Sequence, residues 1–269
     1  MRLSSKRRML ALSLTLLLSP ALAEAAPCGG EFAAWREAIK REAAAKGISQ
    51  RVVSAALDGV TPDPNVIRLD RNQKAFKQSF QQFSTSRINA RLGAAKSQLR
   101  AQAGLLKRIE QRFGVPGEVV IAIWGLESDF GRNTGRQPAI RALVTLAHDC
   151  RRTDRFQGEL MAALRIIQRG DLAPSQMRGA WAGELGQTQF LPSSYVKFAV
   201  DFDGNGRADL VRSVPDVLAS TANYLKGYGW RRGQPWGEGT HNFSVLRQWN
   251  KSSVYAKTIA VFAERLAGS

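Results

Sequence analysis

The sequence has few of the residues that carry most nucleophilic and transition-metal chemistry. In 269 residues it contains only 2 histidines, His148 and His241, and 2 cysteines, Cys28 and Cys150. No group of these residues has the spacing of a zinc site. Their scarcity excludes most histidine-based catalytic triads and most transition-metal chemistry.

Long apolar runs are also scarce. The first one, Met9–Leu18, lies between a positively charged start and a small-x-small motif that ends at Ala23 or Ala25. This order is typical of a signal peptide, which we expect to cover residues 1–26. The run is too short for a permanent span, and the sequence before Cys28 is not of the Leu-Ala-Gly type that precedes a lipidated cysteine. The sequence therefore predicts an exported, periplasmic protein with no stable membrane anchor.

Acidic residues are the minority among the charged ones. The chain has 39 Lys and Arg against 22 Asp and Glu, a formal net charge of +17. A surface this basic attracts polyanions. Export and the lack of basic runs interleaved with stacking aromatics argue against a nucleic acid partner. An envelope polymer that carries carboxylates fits better, although the charge also fits a merely soluble basic surface.

The two cysteines allow two states. In an oxidising compartment Cys28 and Cys150 can pair and tie the mature N-terminus to the core, or both can be free buried thiols. The sequence leaves both states open.

Convincing period-two strands are absent, and helical patterns follow one another along the chain. We predict a mainly α fold with long functional loops. Three of the predicted helices are given by their first residues: one starts at Phe32, one follows a cap at Ser49, and one starts at Pro138. The others cover Ser97–Phe113, Phe156–Ile167, Val217–Leu225 and Ser252–Leu266.

The stretch Val115–Gly135 organises the chain. We predict a helix that ends at Gly131 and places Val120, Ile123 and Glu127 on one inward face. Burial and the negative end of the helix dipole would both raise the pKa of Glu127 and keep it protonated, as a general acid requires. One alternative is that the apolar run is a buried strand, and another is that Glu127 is an exposed residue at a helix end, bonded to the following loop.

A second stretch, Gly179–Tyr195, is unusually rich in glycine. Three glycines in eight positions would let the backbone approach a ligand closely. Gln187 and Gln189 offer amide groups for a polar, uncharged ligand such as an acetamido sugar. The alternative is a tight turn capped by Ser193 before a helix.

A third stretch has the oxygen ligands of a calcium loop. Asp201, Asp203 and Asn205 occupy positions 1, 3 and 5, Gly206 follows, and an acid stands at position 9. The glutamate expected at position 12 is missing, and Asp216, four residues later, is a replacement. The alternative is an Asn-Gly hairpin turn with solvated acids.

Taken together, these motifs resemble the B-type lytic murein transglycosylases, which cleave the glycan strands of peptidoglycan. The resemblance covers nearly the whole chain after the signal peptide, and its motifs are Leu69–Gln73, Ile123–Gly135, Gly186–Tyr195, the Asp201 loop, Ala222–Leu225 and Trp249–Ser252. It implies a lysozyme-like core with an additional helical lobe and a calcium-loop insertion, so that residues 27–269 form one catalytic domain.

The resemblance also implies the roles of individual residues. Glu127 is the catalytic acid and base, and catalysis needs no cofactor. The sugar-contacting residues are Ser128, Gln187, Gln189, Tyr224, Asn250 and Tyr255. A structural calcium ion is bound by Asp201, Asp203, Asn205, the Arg207 carbonyl and Asp216.

Three residues depart from the family pattern, namely Ala180, Glu184 and Trp249.

A glycosidase normally uses two carboxylates. Asp129 lies about 200° around the helix from Glu127, so it cannot face the same bond. The sequence therefore predicts that Glu127 alone cleaves between N-acetylmuramic acid and N-acetylglucosamine and forms a 1,6-anhydro end. The alternatives are a hydrolytic muramidase that uses Glu184 as a second carboxylate and a non-catalytic peptidoglycan-binding protein.

Overall fold

The computed structural model describes residues 27–73 and 79–268, so the predicted signal peptide lies outside the described residues. Helices dominate these ranges, and the prediction of a mainly α fold is confirmed. None of the helices described is both long and apolar enough to cross a membrane. The helices are α1 (Phe32–Ala45), α2 (Gln50–Leu57), α3 (Pro64–Arg71), α4 (Phe80–Ala101), α5 (Ala103–Phe113), α6 (Gly117–Ser128), α7 (Ala139–His148), α8 (Thr153–Arg169), α9 (Pro192–Phe198), α10 (Val214–Gly227), α11 (His241–Trp249) and α12 (Ser253–Ala267).

Helix α6 lies at the centre of the core. All residues from Val119 to Gly125 are buried, and α4, α5, α10 and α12 pack around the helix. A helix that is apolar on all sides, and not only along one stripe, is stable only when it is surrounded. The apolar run therefore forms a central helix, and the alternative of a buried strand is wrong.

The remaining helices pack mainly around the α7–α8 pair. Helices α7 and α8 pack against each other, α3 contacts α7, and α2 and α9 contact α8. Helix α1 packs on α2 through an inward face that includes Trp35 and Ile39. Together with the helices around α6, they enclose one continuous hydrophobic core.

One predicted helix is in fact parts of two helices, and the sequence pattern missed most of α4. The segment Ser97–Phe113 is not one helix, because the chain turns at Gln102 between α4 and α5. Most of α4 was not predicted, because its sequence is largely polar and it buries only four residues, among them Phe83 and Ile88. Its N-terminus does carry a local signal, a capping box between Ser79 and Gln82.

Two short strands, β1 (Gln137–Pro138) and β2 (Arg178–Gly179), pair in antiparallel fashion beside α7.

The glycines of β2 and of the loop after it serve the packing of the protein itself. A Cβ atom on Gly179 would lie 1.6 Å from the Glu184 carbonyl oxygen, and one on Gly186 would lie 2.2 Å from the Leu210 carbonyl oxygen. The interpretation that these glycines admit a ligand is therefore wrong, since other parts of the chain fill the space.

A disulfide bond joins Cys28 to Cys150 across a sequence separation of 122 residues. The backbone N–H of Gly29 donates to the His148 carbonyl oxygen at 2.9 Å, so the same contact also holds the main chain. Of the two states that the sequence leaves open, the structure has the disulfide and not the two free thiols. The segment before α1 is thereby tied to the end of α7.

We expect removal of this disulfide to destabilise the fold strongly. Closing a loop of this length stabilises a protein by about 3–5 kcal/mol, chiefly by restricting the unfolded chain. The double variant Cys28→Ser/Cys150→Ser should therefore melt well below the oxidised wild type in a thermal scan. A reductant should lower the melting temperature of the wild type but not that of the double variant. Equal melting temperatures for the two oxidised proteins would contradict a stabilising role.

Candidate active site

A groove of about 730 Å³ lies over the C-terminal end of α6. Glu127 is part of its lining, together with residues from the loop before α9, from α8 and α10, and from the end of α11. The lining residues are Gln73, Glu127, Arg155, Ala180, Glu184, Gln189, Phe190, Leu191, Ser194, Tyr224, Trp249, Asn250 and Lys251.

The end of α6 places Glu127 in this groove. The helix ends at Ser128, three residues before the predicted stop at Gly131, because Asp129 and Phe130 both adopt left-handed backbone angles (φ 51° and 61°). This turn brings the Phe130 ring back onto Gly125, where a Cβ atom would lie 2.8 Å from the ring. Glu127 therefore lies in the last turn of a helix that is fixed on all sides.

Two hydrogen-bond donors converge on one oxygen of Glu127. Trp249 Nε1 and Tyr255 Oη each lie 2.8 Å from Glu127 Oε1. Burial raises the pKa of the Tyr255 phenol well above its usual value, so this group remains a donor throughout the physiological range. Among the described residues none forms a hydrogen bond with Glu127 Oε2.

Burial is the main reason that the pKa of Glu127 is raised, from an ordinary value of 4.5 to about 7. The hydrogen bonds from Trp249 and Tyr255 favour the ionised form and lower the pKa, while the charge of Glu184 raises it further. Desolvation outweighs the two hydrogen bonds, so Glu127 is largely protonated in mildly acidic solution.

The location of the proton follows from the hydrogen bonds. Oε1 accepts from both Trp249 and Tyr255, so the proton of the neutral acid must reside on Oε2. Glu127 lines the groove, and its Oε2 has no partner among the described residues. The arrangement therefore presents a single acidic O–H to a ligand that lies in the groove, as general acid catalysis requires.

The structure brings four of the six predicted sugar-contacting residues to this site. Gln189, Tyr224 and Asn250 line the groove, and Tyr255 contacts Glu127 from α12. Gln189 has a left-handed backbone (φ 54°), and its side-chain Nε2 donates to the carbonyl oxygens of Thr134 and Gly186. Its amide is therefore held rigidly, with Oε1 free of these two bonds.

The other two predicted residues are used inside the protein. The Ser128 hydroxyl accepts a hydrogen bond from the Gly131 N–H at 2.9 Å. Gln187 Oε1 accepts from Trp124 Nε1 at 2.9 Å, and its Nε2 donates to the Val211 carbonyl oxygen at 3.0 Å. Neither residue is part of the groove lining. Both side chains are used in contacts within the protein, and the sugar contact that the resemblance implies for them stays a prediction.

One residue that the sequence does not assign to the site is Trp249. It belongs to the Trp249–Ser252 motif and departs from the family pattern, yet its indole holds Glu127. Among the described residues the cations Arg155 and Lys251 also line the groove, and no sequence pattern assigns either of them a role. The available sign for Trp249 is its place in that motif beside Asn250.

Asp129 does not take part in this site. Its carboxylate pairs with Arg91 at 2.7 Å and accepts a hydrogen bond from the Asn133 amide at 2.7 Å. Arg91 Nε also donates to the Gly125 carbonyl oxygen at 2.9 Å. Asp129 and Arg91 together fix the end of α6, as expected for a residue that cannot face the same bond as Glu127.

The predicted calcium loop forms a separate acidic cluster. Ligand atoms of Asp201, Asp203 and Asp216 all lie within 4.8 Å of one another. Asp216 Oδ1 accepts the Phe202 N–H at 2.7 Å, and its Oδ2 accepts the Asp209 N–H at 2.8 Å. No strand is assigned between residues 199 and 213, so the hairpin alternative is wrong.

Three other residues of this loop have internal partners. Asn205 Oδ1 accepts the Arg207 N–H at 3.2 Å. The acid at position 9, Asp209, forms an ion pair with Arg212 at 2.8 Å and is not part of the cluster. The cluster therefore depends on Asp216 from the first turn of α10, the replacement that the sequence indicated.

The sequence matches the family model described as "Transglycosylase SLT domain" over residues 31–240. The structure superimposes on that of SltB3 from Pseudomonas aeruginosa in complex with NAG-anhNAM-pentapeptide with a TM-score of 0.85. The two chains are 33% identical, and the match covers 90% of this chain and 80% of that chain.

Two proteins of Escherichia coli are also similar. The membrane-bound lytic murein transglycosylase B of strain K12 is 40% identical over 129 residues, which are 48% of this chain and only 36% of that protein. The lytic transglycosylase Slt35 in complex with calcium has a TM-score of 0.79 at 24% identity, over 93% of this chain and 98% of that chain. These superpositions confirm the predicted lysozyme-like fold class.

We expect Glu127→Gln to stabilise the protein at alkaline pH. Because the folded-state pKa lies above the ordinary value, the stabilisation from the protonated carboxyl is complete below about pH 4.5 and is lost as the pH rises through about 7. Glutamine has no proton to lose. The melting temperature of the variant relative to wild type should therefore be higher at pH 8.5 than at pH 5.

The matched control is Glu118→Gln, which removes the same charge from the other end of α6. Its melting temperature relative to wild type should change little between the two pH values. A Glu127→Gln difference that does not vary with pH would contradict the raised pKa.

Proposed function

The chain belongs to the transglycosylase SLT domain family, and from this membership and the geometry of Glu127 we propose that it is a peptidoglycan lytic transglycosylase. The family resemblance of the sequence motifs is thereby confirmed. The observation that carries the proposal is one protonated carboxyl, held by Trp249 and Tyr255, in a groove large enough for several sugar units. The substrate is the MurNAc-GlcNAc glycan strand, in line with the NAG-anhNAM-pentapeptide bound to SltB3.

In the first step, Glu127 donates the proton on Oε2 to the oxygen of the β-1,4 bond between N-acetylmuramic acid and N-acetylglucosamine. The bond between C1 and this oxygen breaks, and the oxygen leaves as a hydroxyl. The substrate's own acetamido oxygen stabilises the positive charge that develops at C1. This step uses the raised pKa directly, because an ionised Glu127 has no proton to give.

In the second step, Glu127 acts as the base. Its carboxylate takes the proton of the C6 hydroxyl while that oxygen bonds to C1, which forms a 1,6-anhydro ring and returns Glu127 to its acid form. Trp249 and Tyr255 stabilise the carboxylate between the two steps through Oε1. An attacking group on the same sugar has a high effective concentration, so no activated water is needed.

A hydrolytic muramidase is the second candidate, and one observation favours it. Glu184 is a carboxyl among the described residues of the groove lining, and hydrolysis requires a second carboxylate that activates water. Asp129 is unsuited to this role because it is paired with Arg91. The two candidates differ in the end group that they leave on the glycan.

The acidic cluster is proposed as a structural calcium site. Oxygen ligands from Asp201, Asp203 and Asp216 converge, and so many carboxylates repel one another unless a cation lies between them. Asn205 and the Arg207 carbonyl complete the proposed ligand set. When bound, the ion would link the loop to the start of α10, and it would take no part in the cleavage.

The proposed enzyme comprises residues 27–269, a helical lobe together with the lysozyme-like core. It acts in the periplasm after removal of residues 1–26, with the disulfide formed in that oxidising compartment. Its basic surface fits the anionic peptidoglycan polymer.

We expect digests of purified sacculi to contain mainly products with 1,6-anhydro ends, which mass spectrometry distinguishes because they are lighter by one water. Glu127→Gln should lower the cleavage rate by about 10²–10⁴-fold, the usual contribution of a general acid. Glu118→Gln, which makes the same change of charge outside the groove, serves as the control and should keep the wild-type rate.

Two results would contradict the proposal. A preponderance of reducing ends would favour the muramidase. Binding of sacculi without any cleavage by the wild type, and with no effect of Glu127→Gln, would favour a non-catalytic binding protein.

We expect calcium to raise the melting temperature by about 5–11 °C. A ligand at 100 times its Kd contributes about 2.7 kcal/mol, and each kcal/mol moves the melting temperature by about 2–4 °C in a chain of this length. Asp203→Asn should abolish the shift, and Asp154→Asn, an acid outside the cluster, should keep it. A calcium shift that persists in Asp203→Asn would contradict this site.

A further inference from the structure

A second carboxyl group, that of Glu184, lies in the same groove as Glu127. Its Oε2 accepts a hydrogen bond from the backbone N–H of Ala182 at 3.1 Å. Within residues 27–73 and 79–268, no ion pair includes Glu184. A partly buried carboxyl without an ionic partner is costly to the fold. An uncharged side chain would satisfy the loop as well.

The charged groups on the Glu127 side come from α4 and α12. Tyr255 of α12 donates to Glu127, and the charges of Arg87 and Arg91 of α4 act on this phenol. Arg91 is itself paired with Asp129. The positive charges on this side therefore act mainly through Tyr255.

The charged groups on the Glu184 side come mainly from α8. Arg155 also lines the groove, and its charge favours the ionised form of Glu184, whereas the charge of Glu159 opposes it. Arg152, just before α8, interacts with Glu184 as well. Lys251, after α11, is the other cation of the groove lining.

Two carboxyl groups in one desolvated groove do not ionise independently. Burial raises the pKa of both Glu184 and Glu127, and the first to ionise makes the second harder to ionise. Glu184 has the N–H of Ala182 and the charge of Arg155 to stabilise its anion. Among the described groups no cation acts on the ionisation of Glu127, whereas Arg155 of the groove lining favours the ionised form of Glu184, so we place the anion on Glu184.

We infer that Glu184 is a positioning residue of this reaction, whose carboxylate in the groove holds the proton on Glu127 at neutral pH. The inference rests on the proposed function, because it concerns the acid that begins the cleavage. Among the described groups, Glu184 is the one charged group that acts on the ionisation of Glu127. Both residues line one groove, and a negative charge there opposes loss of the Glu127 proton.

The test is the pH dependence of kcat/KM on sacculi for the wild type, Glu184→Gln, Glu184→Asp and Glu118→Gln. In the pH profile of kcat/KM, the alkaline limb is the fall in activity as Glu127 loses its proton. Loss of the Glu184 charge should move this limb to lower pH by roughly 0.5–1 unit, the effect of one charge at an effective dielectric constant of about 20. Aspartate retains the charge and should restore the limb. Glu118→Gln should move it less, because Glu118 lies outside the groove lining about 13 Å away along α6 and is partly exposed, so that solvent ions screen its charge.

A second measurement on the unmodified chain keeps the inference testable if Glu184→Gln folds poorly. Selective ¹³C labelling of glutamate carboxyls follows the titration of Glu127 by NMR. Its titration curve should contain a second inflection at the pH where Glu184 titrates. A single inflection, or an alkaline limb that Glu184→Gln leaves in place, would overturn the inference.

The end groups separate this inference from the assignment of the reaction. Wild-type digests without anhydro ends would overturn the proposed function itself. Anhydro ends together with an unmoved alkaline limb would overturn only the role of Glu184. A loss of reducing ends in Glu184→Gln, with the limb unmoved, would show that Glu184 activates water.

Discussion

The site depends on removing one carboxyl group from water while leaving one of its oxygens open to a ligand. Burial raises the pKa of Glu127 to about 7, but complete burial would remove the acid from its substrate. Helix α6 satisfies both demands because it is apolar on all sides from Val119 to Gly125 and reaches the groove only in its last turn. The surrounding helices must therefore bury α6 and still leave its last turn, with Glu127, open to the groove.

The surrounding helices fix this acid from three directions. Arg91 of α4 binds the end of α6 at the Gly125 carbonyl oxygen, while Trp249 and Tyr255 of α11 and α12 hold Oε1. These partners are far apart in the sequence and meet only because α4 and α12 both pack on α6. The proton on Oε2 is thus oriented by contacts that no local sequence pattern contains.

Two loops also place polar side chains through contacts with other parts of the chain. The glycines of Gly179–Gly186 permit close packing of the backbone against itself, and the rigid loop that results presents Gln189 and Glu184 to the groove. The acidic loop that starts at Asp201 is closed by Asp216 from α10. In both loops a polar side chain gains its position from packing that occurs elsewhere in the fold.

The sequence by itself determined the helical class, the central helix and its acid, because periodic burial and helix-end signals are local properties of the chain. It also indicated the calcium-loop ligands and, through its motifs, the family. Only the tertiary structure decided that Trp249 binds Glu127, that Ser128 and Gln187 bond to Gly131 and Trp124, and that Glu184 shares the groove. These facts depend on contacts between residues as many as 122 positions apart, as for Trp249 and Glu127, and such contacts form only when helices pack.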